Sequence, residues 1–349
     1  MLERLLEHRV KQYLFRGRVV TILGARRVGK TTLVKKLIDA YPNKRSRYLN
    51  CDLQSVQVGL SMQEAEPLRA FLGDYDLVVL DEAQNIPDVG RVLKILVDTY
   101  PEMQIVATGS SSFDLANRTG EALTGRVYPF TLYPISIQEL AGSQGFSVVE
   151  PRLENILRFG LYPSLIDASE EDARFELQEL VSNYLYKDVL AYIGMKRSSV
   201  VQNLLILLAL QMGNEVSYPE LGTQLGIDRK TVISYIDILE QAFVVFTLGG
   251  FSRNLRREVS KSQKVYFYDV GVRNALIEAF APLDLRRDVG ALWESFCISE
   301  RMKKLHYSGQ PVNRYFWRTY DQKEIDYIEE RDGALSGFCL LYTSPSPRD

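Results

Sequence analysis

Residues 24–31 read Gly-Ala-Arg-Arg-Val-Gly-Lys-Thr, a complete match to G-x-x-x-x-G-K-[ST], and they follow the apolar run Val19–Leu23 without a break. This feature constrains the fold most, because a buried strand must end in a glycine-rich turn that opens a helix. Gly24 and Gly29 let the main chain curl with positive φ, so that successive N–H groups point inward at phosphate oxygens. Residues 31–40 carry helical periodicity, and the amino end of that helix adds about half a positive charge at the anion. Lys30 then reaches the β- and γ-phosphates, and Thr31 ligates Mg²⁺. A nucleoside triphosphate is the expected ligand, cradled by Gly24, Ala25, Arg26, Arg27, Val28, Gly29, Lys30, Thr31 and Thr32.

Fifty residues on, Asp76 to Asp81 reads Asp-Leu-Val-Val-Leu-Asp and is followed at once by Glu82. A buried strand ending in a carboxylate, downstream of a phosphate loop, reads as a Walker B strand. Asp81 is expected to hold Mg²⁺ through water, and Glu82 to orient and deprotonate the attacking water. Gln84 positions water, reports nucleotide state or is a solvated loop residue. A third strand, 103–108, runs into Thr-Gly-Ser-Ser-Ser at 108–112. In ATPases with an extra strand between the P-loop and Walker B strands, that strand's polar tip senses the γ-phosphate. Thr108 or Ser110 fits this role, against the alternative of an ordinary Ser/Gly turn. Arg118 and Arg126 are candidate arginine fingers acting in trans within a homo-oligomer, or else plain surface residues.

The runs Gly-Ala-Arg-Arg-Val-Gly-Lys-Thr-Thr-Leu, Leu-Asp-Glu-Ala-Gln, Ala-Thr-Gly-Ser-Ser and Leu-Thr-Gly-Arg with Leu-Tyr-Pro-Ile-Ser together resemble a prokaryotic AAA-superfamily ATPase family. Its members join this ATPase to a C-terminal domain of unknown function. Looser matches, Gly160-Leu-Tyr-Pro163 and Tyr266-Phe-Tyr-Asp269, extend the resemblance over nearly the whole chain. It implies ATP rather than GTP, and no guanine-reading Asn-Lys-x-Asp segment is present. The expected fold is α/β: an open parallel sheet with the P-loop strand central and ATP at the carboxyl ends of the strands.

The chain has 349 residues, 46% hydrophobic and 25% charged, enough for two or three cores. Residues 1–15 read as a charged amphipathic helix rather than a signal peptide, and the longest apolar stretch, 204–210, is too short to span a bilayer. Cytoplasmic residence is expected. Cys51, Cys297 and Cys339 form no C-x-x-C pair, and His8 and His306 are isolated, so neither a disulfide framework nor a zinc site is supported. A formal charge of −2 excludes a strongly basic chain that coats nucleic acid, which leaves local patches such as Arg253, Arg256, Arg257, Lys261 and Lys264.

Residues 1–145 are assigned to the ATPase domain and 146–200 to a helical connector. A winged-helix pattern is expected over 201–284. There, Ser217-Tyr-Pro-Glu starts a helix that Gly226 breaks, and Asp228 caps a second helix with Val232, Ile233, Ile236 and Leu239 as its apolar face. Arg229, Lys230, Ser234 and Tyr235 are expected to face outward, where DNA readers place groove contacts; packing against the ATPase is the alternative. Residues 285–338, a helix from Gly290 followed by paired strands at 315–318 and 324–328, resemble the core of the restriction-endonuclease superfamily. In an active member Glu294 and Asp326 would ligate Mg²⁺, but the lysine expected on the next strand is missing; the alternative is structural, with Glu294 capping or pairing locally and Asp326 at a strand edge, so nuclease activity is not expected. The ending at 339–349 reads as a translated sequencing adapter, a non-native tail that would leave the last sheet short of strands.

Overall fold

The computed structural model describes residues 2–110, 123–185, 189, 198–252, 263–319 and 323–341. Arg118, Arg253, Arg256, Arg257 and Lys261 lie outside the described residues. The chain divides into two compact units, Met1–Tyr133 and Pro134–Asp349.

The first unit is a five-stranded parallel sheet: β1 (Val19–Leu23), β2 (Ser46–Asn50), β3 (Leu77–Asp81), β4 (Gln104–Gly109) and β5 (Val127–Thr131), in the order β2-β3-β4-β1-β5. Every residue of β1, β3 and β4 is buried. Helices cover both faces of such a sheet, so its strands are continuous apolar runs rather than alternating ones. Helices α1 (Leu5–Lys11), α2 (Lys30–Asp39), α3 (Gln54–Leu60), α4 (Ala65–Leu72) and α5 (Val89–Thr99) connect and flank these strands. β4 separates β1 from β3, as the extra-strand reading requires. One expectation is corrected: β1 is an interior strand, but the middle one is β4. The crossover through α2 carries β2 to the far edge, and β3 and β4 fill inward, leaving only β5 beyond β1.

In the second unit, α6 (Ile137–Gln144) opens with a complete capping box between Ser136 and Glu139, and α7 (Leu153–Phe159) and α8 (Glu170–Glu179) follow. Then come α9 (Ser198–Leu210), α10 (Tyr218–Leu225), α11 (Arg229–Gln241), α12 (Val270–Leu276) and α13 (Val289–Ser308). Ser217 caps α10, Gly226 ends it in the left-handed region, and the Asp228 carboxylate accepts the Thr231 N–H at 2.9 Å to start α11. Tyr235 departs from expectation: it is buried with Val232, Ile236 and Leu239, while Ile233 is only half-buried. The inward stripe at i, i+3, i+4, i+7 runs through Val232, Tyr235, Ile236 and Leu239, so the ring packs inside.

The strands β6 (Glu215–Val216), β7 (Val245–Gly250), β8 (Gln263–Phe267), β9 (Asn313–Arg318), β10 (Glu324–Arg331) and β11 (Ala334–Phe338) form one sheet, ordered β11-β10-β9-β7-β8-β6. Sequence reading takes 201–284 and 285–338 as successive modules. A parallel pairing of Gly249 and Gly250 on β7 with Tyr315 and Phe316 on β9 joins them into a continuous ladder. The motifs Gly160-Leu-Tyr-Pro163 and Tyr266-Phe-Tyr-Asp269 also meet. Buried Asp269 caps α12 by accepting the Gly271 and Val272 N–H groups, and it accepts the Leu161 N–H at 2.7 Å. A Cβ on Gly160, whose φ is +79°, would lie 2.0 Å from the Asp269 carboxylate. Among the described residues no helix is long and apolar enough to cross a membrane.

Candidate functional site

The carboxyl ends of β1, β3 and β4 converge on one cluster of side chains. At the end of β1 the chain turns at Gly24, where φ is +156° and a Cβ would sit 2.1 Å from the Leu132 carbonyl oxygen. Only glycine fits so close an approach. Arg27 (φ 62°) and Gly29 (φ 98°) also lie in the left-handed region, completing the curl before α2 begins at Lys30. Lys30 is buried, and its ammonium donates to the Gly24 and Ala25 carbonyls at 3.0 and 3.1 Å, 3.8 Å from the Glu82 carboxylate. Arg26, Arg27 and Thr32 are exposed, whereas Val28 is fully buried.

Asp81, 3% exposed at the tip of β3, is the hub. Its Oδ2 accepts the Thr31 hydroxyl at 2.7 Å and the Tyr48 phenol at 2.6 Å, and its Oδ1 accepts the Thr108 hydroxyl from β4. Thr108 in turn accepts the main-chain N–H of Glu82 at 3.0 Å, which helps fix the left-handed turn (φ 55°) that presents Glu82. The Gln84 amide donates to the Glu82 carboxylate at 2.6 Å and lies 3.3 Å from the Ser110 hydroxyl, joining the tips of β3 and β4. Both sensor candidates therefore sit in the cluster, Thr108 on Asp81 and Ser110 on Gln84. Burial, reinforced by the nearby charges of Asp81 and Asp52, pushes the Cys51 thiol up to about 12, so it stays a neutral, inert thiol.

The residues present fit Mg²⁺ and a triphosphate. Thr31 and Asp81 supply hard oxygen donors, the kind that cation prefers. The close approach at Gly24 keeps the loop free of side chains on that side, and the buried Gln84 Oε1 has no donor among the described residues, as befits an acceptor for water. Sequence reading missed Tyr48. Tyr48 lies near the carboxyl end of β2, the side where open α/β sheets bind ligands, which was the available signal.

Arg126, Lys264 and the Glu294 and Asp326 carboxylates each have their own surroundings. Arg126 pairs with Asp98 at 2.6 Å at the start of β5, and its carbonyl accepts the Val19 N–H, which places it at the amino ends of the strands, opposite the phosphate loop. Lys264 is not part of an exposed basic patch: β8 is an interior strand buried over four consecutive residues, and Lys264 is 2% exposed there, where Glu294 at 3.1 Å and Glu324 at 2.5 Å neutralise it. Glu294 also accepts the Tyr266 hydroxyl, Asp326 accepts the Leu340 N–H at 2.6 Å, and no group of three or more metal-ligating side chains occurs among the described residues.

A parallel sheet with this loop, this acid pair and an inserted third strand defines an AAA-type P-loop ATPase, and the AAA domain family matches residues 16–141. Residues 150–283 and 289–339 match two domains of unknown function, DUF8612 and DUF4143. The chain is 31% identical over 341 residues to the proteins Mb2031c of Mycobacterium bovis and Rv2008c of Mycobacterium tuberculosis, covering 96% of this chain and 73% of each of theirs. It belongs to their family. The Walker-type ATPase PABY2304 of Pyrococcus abyssi superposes with a TM-score of 0.54 at 16% identity, over 79% of this chain and 96% of that one, a likeness of fold.

Proposed function

We propose that the protein is a Mg²⁺-dependent ATPase whose turnover drives movement of the second unit. The observation that carries this reading is the Asp81 hub, which draws Thr31, Tyr48 and Thr108 from three different elements onto one carboxylate beside Glu82. Lys30 exchanges its loop carbonyls for phosphate oxygens. Thr31 and Asp81 would hold Mg²⁺, whose charge would offset that developing on the phosphates. Glu82 takes the proton of the attacking water, and Gln84 orients both. Thr108 or Ser110 reports the γ-phosphate. Arg126, remote from its own loop, would serve only a neighbour in a homo-oligomer.

DNA is the proposed partner of the second unit. The order α9, β6, α10, α11, β7, β8, with β8 between β6 and β7, supports a winged helix, and Arg229 and Lys230 are exposed at the start of α11. Charge reversal at both should abolish duplex binding in a gel shift; unchanged mobility would reject the assignment. Cytoplasmic residence is part of the same proposal.

Steady-state hydrolysis tests the whole. Lys30→Ala should weaken ATP binding itself, whereas Glu82→Gln should keep affinity and trap ATP with turnover down at least a hundredfold. If Lys30→Ala leaves both intact, the site assignment is wrong. A second reading, a slow nucleotide switch that holds an assembly, is favoured by the grip of Gln84 and Lys30 on Glu82. Gln84→Ala separates the two: loss of about tenfold in kcat fits the water-orienting role, and a gain fits a latch.

A further inference from the structure

One carbonyl oxygen of the phosphate loop, that of Val28, is held by a cation from the start of the chain. Arg4, 7% exposed, donates from Nη1 to the Val28 carbonyl at 2.7 Å and from Nη2 to the Tyr133 carbonyl at 2.6 Å. The Val28–Gly29 peptide is a rigid trans plane, so its C=O and N–H point in opposite directions. Holding the oxygen on Arg4 aims the Gly29 N–H into the turn, and the guanidinium charge polarises that peptide into a stronger donor. Gly29 sits at φ +98° with no side chain to fix it, and a Cβ there would lie 3.6 Å from Arg4 Nη1, so the guanidinium packs directly on the loop.

The first peptide of the loop is held the same way, since the Leu132 N–H donates to the Leu23 carbonyl at 2.7 Å and so directs the Gly24 N–H. Leu132 and Tyr133 are consecutive, so one stretch of chain anchors both ends of the loop, directly at Leu23 and through Arg4 at Val28. Arg4 is itself fixed by α1, whose Leu6 and Val10 are fully buried, and by Lys36 of α2, which donates to the Leu2 carbonyl at 3.0 Å. It lies ahead of residues 16–141, the AAA match.

We propose that Arg4 is a positioning residue of the triphosphate site, an inference that rests on the ATP reading above. It orients the Val28–Gly29 peptide before substrate arrives and keeps it so through turnover. Such help is equal in the ground and transition states, and it appears in Kd and KM rather than in kcat. Lysine keeps the charge but lacks the planar fork that bonds two carbonyls at once.

Calorimetric titration with Mg-ATP, steady-state kinetics and thermal melting on the full chain test this. Arg4→Lys should raise Kd and KM about tenfold, with kcat within about twofold of the parent, and Arg4→Met should raise them further. Leu96→Ala, a buried truncation on α5, serves as the stability control: it should lower Tm and leave Kd unchanged. If Arg4→Lys melts lower but keeps the parental Kd and KM, Arg4 only stabilises the fold and the proposal fails. A parent protein that takes up no Mg-ATP would remove the triphosphate reading itself, and this proposal with it.

Discussion

Asp81 accepts three hydroxyls while remaining almost fully buried, which holds its carboxylate in one orientation. Gly24 is as tightly constrained, because a methyl group there meets a main-chain oxygen rather than a side chain that could swing aside. Gly24→Ala is therefore expected to cost about 1–3 kcal/mol of stability and to weaken Mg-ATP binding at least tenfold, measured by melting and titration. A variant that binds normally would mean that the loop relaxes around the added carbon. At this scale the glycines, Lys30, Thr31, Asp81 and Glu82 were legible as site candidates, because they fall in two short local motifs. Tyr48 and Arg4 were not, since each acts across gaps of 24 residues or more and neither belongs to a local pattern.

Among the elements, α10 and α11 begin and end where their caps dictate, and Ser217, Gly226 and Asp228 announced those bounds. Tyr235 was misread because a tyrosine beside a polar run looks like a surface residue until the stripe is counted from Val232. Asp269 ties two segments of the second unit together, with three main-chain N–H groups on a buried carboxylate. Asp269→Ala should destabilise that unit by about 2–4 kcal/mol, through loss of the cap and of the Leu161 bond, seen as a lower melting transition. Gly160→Ala should act in the same direction, by overlap with the same carboxylate. Native melting of both variants would show that the joint contributes little.

For the whole molecule, ligand and proton linkage give the global tests. Saturating Mg-ATP at about a hundredfold its Kd should stabilise the first unit by roughly 2.7 kcal/mol, with amide protection rising on β1, β3 and β4 in hydrogen exchange. Asp288 is expected to contribute to the acid sensitivity of the second unit. Burial pushes its carboxyl up, but the Arg286 and Arg273 guanidiniums outweigh that and hold it well below the usual carboxylate range. A depressed carboxyl contributes stability above its unfolded pKa of about 4 and loses it as pH falls toward the folded value. Asp288→Asn should lower Tm at neutral pH and flatten its decline below pH 4; an unchanged acid slope would assign that sensitivity to other carboxylates. The sequence alone determined the class of the first unit and pointed to its candidate reacting groups, because phosphate binding needs a fixed spacing along one short stretch. Only the tertiary structure decided that β4 is the middle strand, that β7 and β9 weld the later segments into one sheet, and that Lys264 lies inside with Glu294. Strand order, sheet continuity and burial depend on contacts between residues far apart in the chain, and local pattern carries no record of them.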